Sequence, residues 1–226
     1  GKAMAKFVDT PLALSLATLV LGHGDDTPSD RAALYSRALD HIIDGAKGGG
    51  ALERAALDGV DPRALMRRLA SAAHESRSIE ISRDDIKAAL DGDAHKAAAA
   101  WRLARASQLP PLAPRGGVLA FSHLSFQEHL AAEASGVVAL FGDTDKLNSP
   151  WWGDPLLAAW SLAGEADRER AIGALDGSAR WVEVGMVEVV EESGIVENTT
   201  ARRVALDNGA AVVVDGQDEV VPRWRT

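Results

Sequence analysis

Cysteine is absent from this chain, and aromatic residues and long apolar runs are scarce. Without cysteine, the sequence excludes disulfide bonds and thiolate metal sites. Aromatic residues make up only 5% of the chain, whereas alanine and leucine are abundant, and this balance favours helices over sheets. The most apolar stretch, 11–21, is shorter than the ~20 residues that a membrane-spanning helix needs. The sequence therefore predicts no membrane span, and the absence of cysteine suits a cytoplasmic chain.

Positive charge is also in short supply. The chain has 24 lysine and arginine residues against 33 aspartate and glutamate residues, which gives a net charge of −9. A protein that binds the phosphate backbone needs a basic surface, so nucleic acid is not an expected partner.

The length of 226 residues and the hydrophobic content of 46% allow one sizeable core or two small ones.

Sequence motifs for catalysis are missing as well. The chain has no G-x-x-x-x-G-K-[ST] phosphate loop and no G-x-S-x-G nucleophile elbow. Its six histidines show neither H-x-x-x-H nor H-E-x-x-H spacing, so no metal site is expected. We therefore predict no catalytic residue and no enzymatic activity for the chain on its own.

Helix signals dominate the first 135 residues. Thr10-Pro11 is a typical helix start, and Ser82 with Asp85 has the spacing of a capping box. The predicted helices span 12–21, 30–44, 62–74, 82–90, 94–106 and 126–134. The first of them is apolar on almost every face, so we expect it to be buried on most sides.

The order of elements predicts a mainly α fold with a small β wing. Residues 108–117 are rich in proline and glycine and indicate a turn or wing, and the apolar run 118–121 indicates a strand. We predict a helical lid at 1–50, a winged-helix subdomain at 51–135, and a helical-repeat-like or mixed region at 136–226.

The last region is the least regular. Further helices are predicted at 156–162, 166–175 and 179–192. The segments 210–215 and 218–221 could form a β-hairpin around Asp215-Gly216 or a pair of frayed helices.

Three elements along the chain resemble a known family. The segment Phe121–Ala132 reads FSHLSFQEHLAA, and it is preceded by TPLAL at 10–14 and by RAALY at 31–35. In this order they resemble the lid and winged helix at the end of the NACHT module in STAND-type signalling ATPases, which include the NOD-like receptors. His129 is the departure, because an aromatic residue is usual there.

The resemblance implies a regulatory, non-catalytic piece of an ATP-hydrolysing switch protein with a role in innate-immunity-like signalling. His123 would contact the phosphates of bound ADP and Pro11 would pack on the adenine ring. The partners would be an upstream NACHT ATPase core and, after exchange of ADP for ATP, further copies in an oligomer. From the residues alone, His123 would cap a helix locally and Pro11 would be a simple helix start.

Two other functions stay open. One is a winged-helix DNA-binding protein with the helix 126–134 as its reader, although that helix has no arginine or lysine. The other is a helical scaffold that binds a protein partner through Trp151, Trp152 and Trp160, because aromatic clusters mark interaction hot spots. Core tryptophans are the commoner explanation of such a cluster.

Overall fold

The structure is a computed structural model that describes residues 10–45, 50–147 and 149–175, and the backbone of short strands between Arg180 and Arg223. The chain divides into two compact units, Gly1–Ser135 and Gly136–Thr226. Helices predominate in the described residues, so the predicted mainly α fold is confirmed at that level. Among the described helices, none combines the length and the apolarity that crossing a bilayer requires.

The first unit contains seven described helices and one β-hairpin. In chain order they are α1 (Pro11–Gly22), α2 (Arg31–Gly45), α3 (Ala51–Ala56), α4 (Pro62–Glu75), α5 (Arg83–Ala89), α6 (Ala94–Arg105), β1 (Leu112–Arg115), β2 (Val118–Phe121) and α7 (Leu124–Ser135).

Local hydrogen bonds explain where two of these helices, α1 and α5, begin. The backbone N–H of Ala13 donates to Thr10 Oγ1 (3.2 Å) at the start of α1. Before α5, Ser82 and Asp85 form the predicted capping box in both directions. Each cap satisfies backbone donors that the first turn of a helix leaves without partners. The sequence therefore determined the starts of α1 and α5 through contacts over three residues.

Helix α1 differs from the prediction, because only one of its faces is covered. Ala13, Leu16 and Val20 are buried, but Leu14 is 61% exposed and Leu21 is 44% exposed. The expectation of burial on most sides is wrong because α1 packs mainly against a single helix, α2. One neighbouring helix covers one stripe and leaves the opposite stripe at the surface.

Helices α4 and α7 have the most extensive contact of any helix pair described, and α2 packs against both of them. Leu65, Met66 and Leu69 are buried on α4, as the sequence predicted. Ile81, between α4 and α5, forms an antiparallel bridge with Leu119 of β2. The described elements therefore run helix, bridge residue, helix, helix, hairpin and helix.

The described part of the second unit begins with four short helices and a 3₁₀ turn. They are α8 (Val137–Phe141), α9 (Thr144–Leu147), the 3₁₀ turn Pro150–Trp152, α10 (Gly153–Leu162) and α11 (Glu165–Leu175). Helix α8 packs against α10 and α11.

Six strands are described after the helices. They are β3 (Arg180–Glu183), β4 (Val187–Glu191), β5 (Gly194–Thr199), β6 (Arg202–Ala205), β7 (Ala211–Val214) and β8 (Val220–Arg223). Strands β3, β6, β7 and β8 form one antiparallel sheet in that order, and β4 pairs with β5 in a second sheet.

Two predictions for this region have different outcomes. The helix predicted at 179–192 is wrong, because β3 and β4 occupy its place. Its valines and Trp181 favour strands, and long-range pairing with β6 and β5 decided between the two conformations. The hairpin between 210 and 221 is confirmed, since β7 and β8 pair antiparallel. Asp215 and Gly216, predicted for its turn, lie outside the described residues.

Candidate functional site

His123 lies at the surface, between the end of β2 and the start of α7. The backbone N–H of Ser125 donates to His123 Nδ1 (3.2 Å), so this nitrogen is an acceptor. In a neutral imidazole that accepts at Nδ1, the proton is on Nε2. The His123 ring also meets the edge of the buried Phe126 ring, with 6.5 Å between centroids. The fold thus holds the imidazole in place with its N–H donor on the nitrogen that this local bond does not use.

Pro11 is the first residue of α1 and is exposed. Its carbonyl accepts a hydrogen bond from Ser15 Oγ (2.9 Å), and its ring has no N–H to satisfy at this helix start. Pro11 and His123 therefore stand at the starts of two helices, α1 and α7. Both of these helices pack against α2.

Two neighbours of His123 in the FSHLSFQEHLAA segment are core residues. Gln127 is only 1% exposed, and its Nε2 donates to the carbonyl of Ser78 (2.9 Å) in the loop before α5. Phe126 is 4% exposed and packs edge-on against Tyr35 of α2, with ring centroids 6.0 Å apart. These contacts attach the helix that begins beside His123 to two other parts of the unit.

A cluster of polar side chains joins α2, α4 and α7 close to this packing. We call it the polar cluster; its members are Ser36 and Asp40 on α2, Arg63 on α4, and His129 and Glu133 on α7. Arg63 Nε donates to Glu133 Oε2 (3.1 Å) and Arg63 Nη1 donates to Asp40 Oδ1 (2.8 Å). The third Arg63 nitrogen, Nη2, donates to Glu133 Oε1. The arginine therefore holds two carboxylates that belong to different helices.

His129, the departure from the family pattern, belongs to this cluster. Its Nε2 lies 2.9 Å from Ser36 Oγ and 3.2 Å from Glu133 Oε1. The His129 side chain is 4% exposed, and the Arg63 and Glu133 side chains are each 13% exposed. A histidine here supplies a polar partner that a phenylalanine would not.

Glu133 has the most shifted acidity of the described groups. Burial raises the pKa of its carboxyl. Hydrogen bonds from His129 and Arg63, together with their charges, lower the pKa by more than burial raises it, and bring it from 4.5 to about 2. Glu133 is therefore ionised throughout the physiological pH range. It acts as a permanent anion between α4 and α7.

Ser36, His129 and Glu133 include the residue types of a hydrolytic triad, but their geometry differs from one. In a triad the serine and the carboxylate bond to opposite nitrogens of the imidazole. Here both approach the same atom, Nε2. The carboxylate is also held by Arg63, so the arrangement connects helices and has no activated nucleophile.

Sequence reasoning singled out His129 only as a departure and missed Ser36, Arg63 and Glu133. The spacing of His129 and Glu133, four residues apart on a predicted helix, was the available signal. It marks a local pair on α7. The contributions of α2 and α4 come from positions 93 and 70 residues away along the chain.

A second histidine group was also missed. The rings of His23 and His41 stack with centroids 4.1 Å apart, and His41 Nε2 donates to Asp25 Oδ2 (2.7 Å). His23 Nδ1 donates to the carbonyl of Leu19 (2.9 Å). This group ties the end of α1 to α2. Within the described residues, no cluster of three or more histidine and carboxylate side chains has an arrangement that could hold a metal ion.

The tryptophans predicted as a partner surface are mostly core residues of the second unit. Trp152 is 4% exposed and Trp160 is 3% exposed, while Trp151 is half-buried. The Trp160 ring packs on Phe141, with centroids 5.4 Å apart. Arg168 lies over the Trp160 ring at 5.6 Å. The commoner explanation of the cluster, core packing, therefore describes Trp152 and Trp160.

No protein-family model matches the chain, and no curated protein matches it either.

Proposed function

We propose that this chain is a regulatory, non-catalytic segment of a NACHT-like STAND ATPase. The observation that carries the proposal is His123, which is exposed and held with its Nδ1 as an acceptor, within the FSHLSFQEHLAA segment. Its Nε2–H is then available to a phosphate oxygen. The exposed ring of Pro11 offers a rigid apolar surface to an adenine base.

Two of the residues present have the chemistry that the implied nucleotide would need. ADP or ATP would supply the phosphate and the base, and His123 and Pro11 would hold them from this side. The phosphate loop and the magnesium ligands would come from an upstream ATPase core. With ADP the segment would stay closed on that core. Exchange for ATP would release it and permit assembly of copies, a hinge-type switch. This mode of action suits a cytoplasmic signalling protein of the innate-immunity type.

The order of elements in 62–121 supports a winged helix within this proposal. Winged-helix domains place a short strand after the first helix, two helices next, and a hairpin wing after the third. Here α4, the bridge residue Ile81, α5, α6 and the β1–β2 hairpin follow that order. On this alignment the recognition position falls on α6. Helix α7, expected to be the reader, comes after the wing.

This alignment favours DNA binding as a second candidate function. Helix α6 carries Lys96, Arg102 and Arg105, and the wing carries Arg115, whereas α7 has no arginine or lysine. Arg105 also donates to the carbonyl of Gly116 at the turn of the wing, which joins the two basic elements. The net charge of −9 and the pairing of Arg102 with Glu53 (3.1 Å) weaken this candidate.

A titration with duplex DNA at two salt concentrations tests the second candidate. Salt-dependent binding that Arg105→Gln weakens and Arg170→Gln, an exposed arginine of α11, leaves unchanged would support it. Equal binding by both variants would reject it.

A scaffold that binds a partner through the tryptophans is less well supported. Burial of Trp152 and Trp160 leaves Trp151 as the accessible member of the set.

Nucleotide retention tests the proposed function. In the protein that includes the ATPase core, we expect His123→Ala to release ADP faster and to raise basal activity, because a phosphate contact is lost. The matched control is His95→Ala, an exposed histidine at the start of α6. Release of bound ADP and the oligomeric state are measured. Unchanged ADP occupancy and assembly in the His123 variant would contradict the proposal.

The mass of the native polypeptide is the first measurement to make. An antibody against this chain should detect a product well above 23.8 kDa in the source cells if an upstream core exists. A product near that mass would favour a free-standing adaptor.

A further inference from the structure

The polar cluster occupies the junction at which α2 meets α4 and α7. Three helices meet there, and each contributes charged or polar groups: Ser36 and Asp40, then Arg63, then His129 and Glu133. The contacts connect parts of the chain up to 97 residues apart. They therefore report on tertiary arrangement and not on the stability of any one helix.

Arg63 is the centre of the cluster. It uses Nε and Nη2 for Glu133, and it uses Nη1 for Asp40 and for the carbonyl of Ser36 (3.3 Å). Its side chain is 13% exposed, so few of these bonds can be replaced by water. A buried guanidinium is tolerated only when its donors have partners. The position of α2 must therefore agree with that of α7 for Arg63 to be satisfied.

The apolar contacts beside the cluster are less selective. Tyr35, Leu39, Phe126 and Leu130 are buried members of the same core. Apolar surfaces stabilise many relative placements of two helices, because their attraction has no direction. Hydrogen bonds to buried charges have strict distances and angles. The polar cluster distinguishes among placements that the apolar core alone would allow.

The local charges make the junction sensitive to the loss of one member. Besides Arg63, Arg67 of α4 approaches Glu133, with its Nε 3.5 Å from Oε2. Glu133 thus faces two arginines and His129, while Asp40 faces Arg63 from α2. Neutralising Glu133 leaves two cations of α4 next to each other with one exposed carboxylate nearby.

We infer that the polar cluster is a conformational latch, which fixes a single orientation of the packed pair of helices α1 and α2 (the α1–α2 pair) against α4 and α7. When the latch is intact, the starts of α1 and α7 keep a constant distance and orientation. Pro11 and His123, which lie at these starts, therefore keep theirs as well. When the latch opens, the α1–α2 pair can change its orientation, although the apolar core still holds it against the rest of the unit. The inference goes beyond the proposed function, because the latch is a property of this chain without nucleotide.

The absence of cysteine allows a direct test by spin labelling. Cysteines are introduced at Thr18 on α1 and Ala72 on α4, both exposed, and the distance distribution between the labels is measured in the full chain. The parent should show one narrow peak. In Glu133→Gln we expect a broad distribution in place of that single peak, because the α1–α2 pair would adopt several distances from α4.

A double variant separates orientation from stability. Arg63→Met with Glu133→Met replaces the ion pair with apolar side chains of similar length, a change that often restores stability. The latch predicts that its denaturation midpoint returns toward that of the parent while its distance distribution stays broad. A narrow peak in this variant would overturn the inference. It also decides the matter if Glu133→Gln fails to fold.

The control is an ion pair of the same kind at the surface. Arg68 Nη1 lies 3.0 Å from Asp91 Oδ1, and both side chains are largely exposed. Asp91→Asn should keep the narrow peak. Equal broadening in Asp91→Asn and Glu133→Gln would show that any lost charge has this effect, and the polar cluster would then have no special role.

Discussion

At the residue scale, Glu133 shows how neighbours outweigh burial. Burial alone favours a neutral carboxyl, because charge is costly away from water. The His129 and Arg63 contacts reverse that preference and bring the pKa to about 2. The carboxylate is therefore stabilised in the folded chain relative to the unfolded one, and the folding free energy depends on its ionisation.

This linkage predicts a specific pH dependence. The folded pKa of Glu133 lies below the ordinary value of 4.5, so its stabilisation is complete above about pH 5 and is lost as the pH falls toward 2. Arg63, Arg67 and His129 are the cationic or titratable groups that face it from α4 and α7, and Asp40 approaches Arg63 from α2. Urea unfolding of the parent and of Glu133→Gln between pH 2 and 7 measures the effect.

We expect Glu133→Gln to lose about 3 kcal/mol at pH 7, because Arg63 then stays largely buried with the exposed Asp40 as its remaining carboxylate partner. Asp91→Asn, at the exposed pair with Arg68, should lose less than about 1 kcal/mol. The gap between the parent and the Glu133 variant should narrow as the pH falls. A gap that is constant with pH would show that ionisation of Glu133 does not contribute.

At the scale of elements, short helices depend on their caps. Helix α5 has only seven residues and buries one of them, Ile86. A helix of this length is marginal without its surroundings. The two reciprocal bonds between Ser82 and Asp85 satisfy backbone donors at its start. They fix the point at which the chain leaves the bridge residue Ile81 and enters the helix.

Removal of the cap should therefore be costly for so small an element. We expect Ser82→Ala to lower the free energy of unfolding by about 1 kcal/mol. Thr18→Ala is the control, because the Thr18 hydroxyl donates to the Leu14 carbonyl within α1 and caps nothing. Thermal denaturation followed by circular dichroism compares the two. Equal losses in both variants would mean that the capping box contributes no more than an ordinary hydroxyl.

At the scale of the whole molecule, each of the two units buries apolar residues of its own. The main apolar cluster runs from Ala13 to Ala131, entirely within the first unit. Phe141, Trp152 and Trp160 are buried in the second. A unit that contains its own core can fold alone.

We expect a chain that ends at Ser135 to unfold cooperatively and to keep the helical signal of the first unit. A chain that ends at Phe121 is the control, because it lacks α7 with Phe126 and Leu130, and it should lose the cooperative transition. Circular dichroism during thermal unfolding gives both results. A non-cooperative transition in the longer chain would show that the first unit depends on the second.

The sequence by itself determined the features that arise within a few residues. Thr10-Pro11, the Ser82–Asp85 box and the apolar run 118–121 predicted element starts and a strand that the structure confirms. Caps and periodicity act over one helical turn, so they are legible without a fold. The roles of His123 and Pro11 remain predictions from a resemblance.

Only the tertiary structure decided the features that depend on distant neighbours. One face of α1 is exposed, and strands form where a helix was predicted at 179–192. Ser36, Arg63 and Glu133 come together in one cluster. Whether an apolar face is covered, a valine-rich segment pairs or a charge finds a partner depends on residues far along the chain. A local sequence pattern cannot predict those partners, because they come within contact distance only when the chain folds.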